Sequence, residues 1–300
     1  MRRKYQLLMI EKIRNNKQLG SIGIFDSGVG GLSILKEIRN LLPHYDYLYL
    51  GDNARAPYGT RSFDSVYQYT LEAVTWMFGM GCPLVILACN TASAKALRTI
   101  QQKDLAKIAS NNRVLGVIRP TTESISQYTK SRHIGILATS GTVKSDSYLI
   151  EIARYSPDIQ IVQQACPMWV PLIENNEHLS EGGFFFIEKY IRQILLKDDK
   201  IDALLLACTH YPLLIPAISS IIPPHIRLIS QGTLVAEKLK DYLLRHSDIE
   251  QRCSKGNLVR YFTTEDKNDF SEKARLFMDE PVAAQTIQLS RLDNSTGCKD

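Results

Sequence analysis

No apolar stretch of this chain approaches the ~18–20 residues that cross a bilayer, which argues against an integral membrane protein. Cysteine is sparse and scattered. The six, at 82, 89, 166, 208, 253 and 298, form no Cys-x-x-Cys pair, so neither a zinc ribbon nor a disulfide scaffold is indicated. A secretory signal is lacking as well. Arg2, Arg3 and Lys4 precede an apolar run at 5–10, but Glu11 and Lys12 end it after six residues, short of the ~7–15 that such a core requires. The expectation is a cytoplasmic protein with reduced thiols. An excess of positive charge over the body of the chain is also missing. The net charge of +5 is accounted for by residues 1–19, where six basic residues face Glu11 alone, and the rest carries thirty charges of each sign. A basic extension on a neutral body gives no case for nucleic-acid binding and reads most simply as a solvated tail.

What the chain does have is a succession of short aliphatic runs, at 22–25, 47–50, 84–87, 114–118, 134–137, 159–162, 203–206 and 226–229. Most are continuous rather than alternating, as strands buried on both faces of a parallel sheet read. Amphipathic stretches separate them. Leu32, Leu35, Ile38 and Leu42 space a helix that Pro43 stops, and Ser62 is placed to cap another through Phe63, Val66, Val74 and Phe78. Strand–helix alternation over this length predicts an α/β fold with parallel sheets, and the length suits two domains.

Two segments are echoed. Ile22-Gly23-Ile24-x-x-Ser27-Gly28 matches Ile134-Gly135-Ile136-x-x-Ser140-Gly141 at an offset of 112 residues, and Leu87-Ala88-Cys89-Asn90-Thr91 matches Leu206-Ala207-Cys208-Thr209-His210 at 119. Matches in one order at nearly equal offsets predict two halves of similar architecture. Ligands of parallel sheets bind beyond the carboxyl ends of the strands. Both echoed motifs sit there, so two like-facing crevices would close on one small ligand.

Asp26-Ser27-Gly28-Val29-Gly30-Gly31 follows one of these strands and opens a helix. The dinucleotide fingerprint fails, because the sixth position from Gly28 is Ser33, and no Gly-Lys-Ser/Thr follows to make a P-loop. What remains is a glycine-rich turn with free N–H groups, suited to a carboxylate. Asp26 itself reads either as a helix cap or as a catalytic or ammonium-binding group. Cys89-Asn90-Thr91 and Cys208-Thr209-His210 each end a strand and begin a helix, with Pro212 acceptable in a first turn. A thiol at a helix N-terminus is expected to have a lowered pKa. One such cysteine would be read as inert packing; two with matched sequence, each followed by polar donors, point to chemistry. Zinc at Cys208 and His210 would lack close third and fourth ligands. A Cys–His protease would leave the second thiol unexplained. Two thiols facing one small acid fit proton abstraction and return on opposite faces.

Asp26-Ser27-Gly28, Pro57-Tyr58-Gly59, Ala88-Cys89-Asn90-Thr91-Ala92-Ser93 and Ala207-Cys208-Thr209-His210-Tyr211-Pro212 together resemble cofactor-independent glutamate racemases. Cys166-Pro167, the run 170–174 and the turn Thr139-x-Gly141-Thr142 extend the resemblance from about residue 21 to 290. It implies two pseudo-symmetric α/β domains, each with a mainly parallel sheet flanked by helices and the active site in the cleft between them. On this basis residues 20–115 plus 231–300 form the first domain and 116–230 the second. It implies Cys89 and Cys208 as the two acid/base thiols, with Asp26, His210 and Glu174 as auxiliary groups. Substrate would be bound by Asp26, Ser27, Tyr58, Gly59, Asn90, Thr91, Thr209 and His210. No metal or cofactor is called for. The implied role is supply of D-glutamate for peptidoglycan, hence cell-wall synthesis and cell shape. By the family's pattern Cys89 takes the proton of D-glutamate and Cys208 that of L-glutamate.

Three positions depart from the family pattern: Arg119 stands where an acid usually precedes Pro120, Ser230-Gln231-Gly232 replaces Asp-Ser-Gly, and Ala207 replaces Gly. None is a catalytic position, and they bear on partner contacts and domain packing. The resemblance leaves a homodimer open, and it links basic N-terminal extensions to activation by a UDP-linked peptidoglycan precursor, an anion. The nearest rival reading is aspartate racemase, although Cys-Thr-His-Tyr-Pro favours the longer acid. A rival of another class is a non-enzymatic two-domain binding protein, which needs no paired thiols.

Overall fold

A computed structural model describes residues 19–289; residues 1–18 of the basic extension, and Cys298, lie outside the described residues. Two all-parallel sheets organise the chain. The first contains β1 (Ile22–Asp26), β2 (Tyr47–Gly51), β3 (Leu84–Leu87), β4 (Arg113–Gly116), β9 (Val259–Thr263) and β10 (Ala284–Thr286). The second contains β5 (His133–Ala138), β6 (Gln160–Ala165), β7 (Ala203–Ala207) and β8 (Arg227–Ile229). Their orders are β10-β9-β2-β1-β3-β4 and β6-β5-β7-β8. In each half the first strand lies between the second and the third, with the fourth outside the third. The two halves are therefore wound alike, and the sequence echoes fall on equivalent strands, β1 with β5 and β3 with β7.

This winding has a consequence for binding. The chain leaves β1 toward one side and returns on the other as β3, so a crevice opens between the carboxyl ends of these two strands. The register sets Phe25 beside Leu87 and, in the second half, Ala138 beside Ala207. Cys89 and Cys208 are thus delivered at the two switch points. Strands β1, β2, β3 and β7 are buried at every position, which is why their sequences are continuous apolar runs.

The helix Leu32–Leu41 buries Leu32, Ile34, Leu35 and Ile38, and ends one residue before Leu42, as Pro43 requires. It packs against the helix Gly232–Arg245, which follows the second sheet in sequence but returns to the first. One apolar cluster is consequently continuous through Ile22, Ile24, Leu35, Leu204, Leu206, Val235 and Leu239. Ser62 caps the helix Phe63–Gly79 by accepting from the Ser65 N–H at 3.1 Å, as expected, but Phe63 points outward and the buried face is Val66, Thr70, Ala73, Val74, Met77 and Phe78.

Three further expectations are corrected. The run 114–118 is not one strand: β4 stops at Gly116 and Ile118 opens the helix Ile118–Ser124, so the apolar run spans an element boundary. The run Ala92, Ala94, Ala96 and Leu97 predicts one helix after Cys89, whereas that helix covers Asn90–Lys95 only and is followed by the short helix Leu97–Thr99 and a π turn at Ile100–Asp104. Strands β9 and β10 extend the first sheet beyond the eight expected. Among the described residues no helix is long and apolar enough to cross a membrane.

Candidate active site

Cys89 and Cys208 line one narrow cleft of about 60 Å³, together with Ser27, Tyr58, Gly59, Asn90, Thr91, Thr209, His210 and Glu174. Of the expected site residues only Asp26 is not on its wall. It lies behind, fully buried, accepting from the Gly28 N–H at 3.0 Å and from Thr209 Oγ1 at 3.5 Å. The helix after the glycine turn begins at Leu32 with no side-chain cap, so the cap reading of Asp26 does not hold for it. A larger cavity, about 650 Å³, lies elsewhere and no thiol lines it.

Cys89 occupies the N-cap of the helix Asn90–Lys95. Its Sγ accepts from the Ala92 N–H at 3.4 Å and donates to Ser27 Oγ at 3.5 Å. Cys208 is placed differently. It precedes a 3₁₀ turn that begins only at Tyr211, so it is not itself the cap of a helix. Its Sγ instead lies 4.0 Å from His210 Nδ1, and His210 Nε2 lies 3.0 Å from Glu174 Oε1. The result is a Cys208–His210–Glu174 row reaching from the buried thiol to a carboxylate at the cleft wall.

The electrostatics differ from the expectation of a lowered pKa at Cys89. Burial pushes the Cys89 thiol up to about 12, and the nearby Asp26 carboxylate adds to the rise; the contacts from Ser27 and Ala92 oppose it without prevailing. Desolvation outweighs the helix terminus. Burial also raises the Asp26 pKa, against the lowering influence of His210 and of the Gly28 and Gly31 amides. For His210 burial acts downward, yet Cys208 and Glu174 together lift it to about 10. Burial likewise acts to raise Glu174, and His210 overcomes it, so the net shift of the carboxyl is downward. His210 and Glu174 therefore stabilise one another as an ion pair.

Two halves meet closely here. Gly30 allows it: a Cβ at that position would stand 2.4 Å from His210 Nδ1 and 2.5 Å from Thr209 Oγ1. Ser33 Oγ donates to the Thr209 carbonyl at 2.8 Å across the same junction. On the other wall Thr91 Oγ1 lies 2.9 Å from Thr139 Oγ1 and 3.3 Å from Thr142 Oγ1. Thr139 also lines the cleft, a role that its place in the turn Thr139-x-Gly141-Thr142 does not reveal.

Two expected substrate contacts are turned to other partners. Asn90 Nδ2 donates to Gln231 and its Oδ1 accepts from Tyr148 Oη, so its side chain is engaged within the protein. Tyr58 donates its hydroxyl to Asp52, which also accepts from Arg55 Nε at 2.7 Å and from Thr264 Oγ1 at 2.8 Å. The departures at 119 and 231 resolve differently. Arg119 is a surface residue paired with Glu123, whereas Gln231 is buried at the domain junction. Among the described residues no group of three or more His, Cys, Asp or Glu side chains is arranged to hold a metal ion.

A two-domain parallel α/β fold with paired thiols at matching switch points defines a class of amino-acid racemase, and the chain belongs to that family: residues 30–239 match the Asp/Glu/Hydantoin racemases. Within it the chain groups with glutamate racemases. It is 36% identical over 273 residues to the glutamate racemase of Streptococcus gordonii, covering 89% of this chain and 98% of that protein. A glutamate racemase isoform from Bacillus anthracis shares the fold with a TM-score of 0.81 at 29% identity, covering 90% of this chain and 98% of that one. The Escherichia coli glutamate racemase, solved with L-glutamate and the activator UDP-MurNAc-ala, superposes with a TM-score of 0.69 at 30% identity over 85% of this chain and 92% of its own.

Proposed function

We propose that the protein interconverts L- and D-glutamate by a two-base proton transfer in which Cys89 and Cys208 act on opposite faces of the α-carbon. The observation that carries this reading is the convergence of Cys89 and Cys208, one from each half and each at a matching strand end, on a single small cleft; the third cysteine on its wall, Cys166, donates its thiol to the Gln164 carbonyl at 3.6 Å. A thiolate removes the α-proton, the electron pair is taken up by the adjoining carboxylate, and the opposite thiol delivers its proton to the other face. Burial keeps Cys89 in the thiol form; the ammonium group of an incoming amino acid brings the positive charge that lowers its pKa toward use. The hydroxyls of Ser27, Thr91 and Thr139 line the cleft at positions suited to the substrate carboxylates. Asp26 behind the wall acts on Cys89, and the His210–Glu174 pair stands beside Cys208. A circular-dichroism assay with each enantiomer tests the function directly. Both should approach the same racemic end point, and D-aspartate should turn over far more slowly. Inertness toward both glutamate enantiomers would favour a binding protein instead.

The division into residues 20–115 plus 231–300, of which 290–300 lie outside the described residues, and 116–230 is proposed as the pair of domains that form this cleft. The product would serve peptidoglycan synthesis in the cytoplasm. An anionic UDP-linked precursor is the activator we infer for this chain. Support comes from the basic residues of the extension and from Arg98, Arg119, Arg154, Lys238 and Arg245 around the larger cavity. Deleting residues 1–19 should then weaken activation by the precursor. Unchanged kinetics with and without it would dismiss the activator.

A further inference from the structure

Gln231 is 2% exposed and stands between β8 and the helix Gly232–Arg245. Its side chain closes a ring of three buried groups. Asn90 Nδ2 donates to Gln231 Oε1 at 2.7 Å, Gln231 Nε2 donates to Tyr148 Oη at 2.8 Å, and Tyr148 Oη donates to Asn90 Oδ1 at 2.6 Å. The second Nε2 hydrogen goes to Thr121 Oγ1 at 2.8 Å, and Thr121 passes its own proton to the Val117 carbonyl, also at 2.8 Å. Each donor and acceptor around the ring has one consistent role, and such cyclic chains of bonds reinforce one another away from water.

The ring joins parts of the molecule that the reaction needs held together. Asn90 is the residue after Cys89. Gln231 follows β8, the neighbour of β7, whose end carries Cys208. Tyr148 belongs to the helix Ser147–Tyr155 on the same half as Cys208. A serine at position 231, as in the sequence pattern described above, is too short to reach all of these groups. Gln231 therefore ties the residue beside one thiol to the sheet that bears the other.

We propose, on the basis of the two-thiol reading above, that Gln231 is a positioning residue that fixes the span between Cys89 and Cys208. Racemisation needs that span, because one thiol must give as the other takes. Elimination of chloride from 3-chloroglutamate needs only one: a thiolate takes the α-proton, the α-electron pair forms the new double bond, and chloride leaves with the β-carbon bonding pair. The two reactions separate positioning from general damage.

The test compares wild type, Gln231→Leu, Gln231→Glu and Tyr148→Phe. Racemisation and chloride release are measured on each, the latter with the enantiomer that the Cys89→Ser protein still processes through Cys208. In Gln231→Leu, kcat for racemisation should fall by about 10–100-fold, the scale of a misplacement of roughly 1 Å, while KM and chloride release stay within about threefold. Gln231→Glu keeps the acceptor toward Asn90 and should fall in between. If the leucine variant does not fold, the glutamate and phenylalanine variants carry the comparison. Equal losses in both reactions, or a raised KM with unchanged kcat, would overturn the assignment of Gln231 alone. A wild type inert toward glutamate would overturn the proposed function, and this inference with it.

Discussion

Cys89, one of the two bases proposed above, shows what a thiol surrenders by being buried. Desolvation and the Asp26 carboxylate both favour the neutral form, and its pKa of about 12 leaves little thiolate near neutrality until a cationic group arrives. Serine in its place keeps the shape, but its hydroxyl is a far weaker acid and supplies almost no anionic base near neutrality. Cys89→Ser and Cys208→Ser should each reduce racemisation by at least about 10²–10⁴-fold. The two variants should retain chloride elimination from opposite enantiomers of 3-chloroglutamate, read by chloride release. The His210–Glu174 pair makes a second prediction at this scale, through stability. His210 is raised from its ordinary 6.5 to about 10, so its contribution is complete below pH 6.5 and lost as the pH climbs toward 10. Glu174 is lowered from its ordinary 4.5, so its contribution is complete above that value and lost as the pH falls through the depressed one. The stability advantage of wild type over Glu174→Gln, measured by urea unfolding, should therefore be greatest between about pH 4.5 and 6.5 and decline on both sides. A flat difference across pH 5–10 would show that the pair is not charged in the folded protein.

The elements that deliver these residues were readable to the extent that their environment is uniform. β1, β3, β5 and β7 are covered on both faces, so burial writes itself into continuous apolar runs, and the echo between the halves exposed their equivalence. β9 and β10 left no such mark: Val259–Thr263 carries an exposed Arg260, and Ala284–Thr286 is a three-residue edge with two outward residues. The motifs placed the thiols at strand ends but not their surroundings. Whether the Asn90 side chain faces substrate depends on Tyr148 and Gln231, 58 and 141 residues away, and the Cys89 pKa depends on its burial and on Asp26, a residue from a different strand end. Gly30 is a case between these. Its place in a glycine turn was plain, but its close approach to His210 required the second half. Gly30→Ala puts a methyl group against the ring and Thr209, an overpacking that should cost about 1–3 kcal/mol in urea unfolding and lower kcat together with stability. If the variant unfolds and turns over as wild type does, the two halves do not meet as tightly as described.

At the scale of the whole molecule, the repeated winding accounts for the division of the proposed chemistry between two residues rather than one. Each half offers a switch-point crevice with a thiol at its lip, and the two halves together make one cleft lined by a thiol from each. A single base serving both faces would have to cross the substrate; two bases on separate bodies do not. This division has an isotopic consequence. In deuterated water the thiol that has just taken a substrate proton holds that proton and can return it, whereas the thiol on the far side has already exchanged with solvent. Early in the reaction, deuterium at the α-carbon should accumulate in the newly formed enantiomer while remaining substrate keeps its proton, in whichever direction the reaction is started. Mass spectrometry after chiral separation reads both pools. Equal labelling of substrate and product from the first turnovers would mean one shared base, and would overturn the paired-thiol mechanism while leaving the fold and the placement of both cysteines intact.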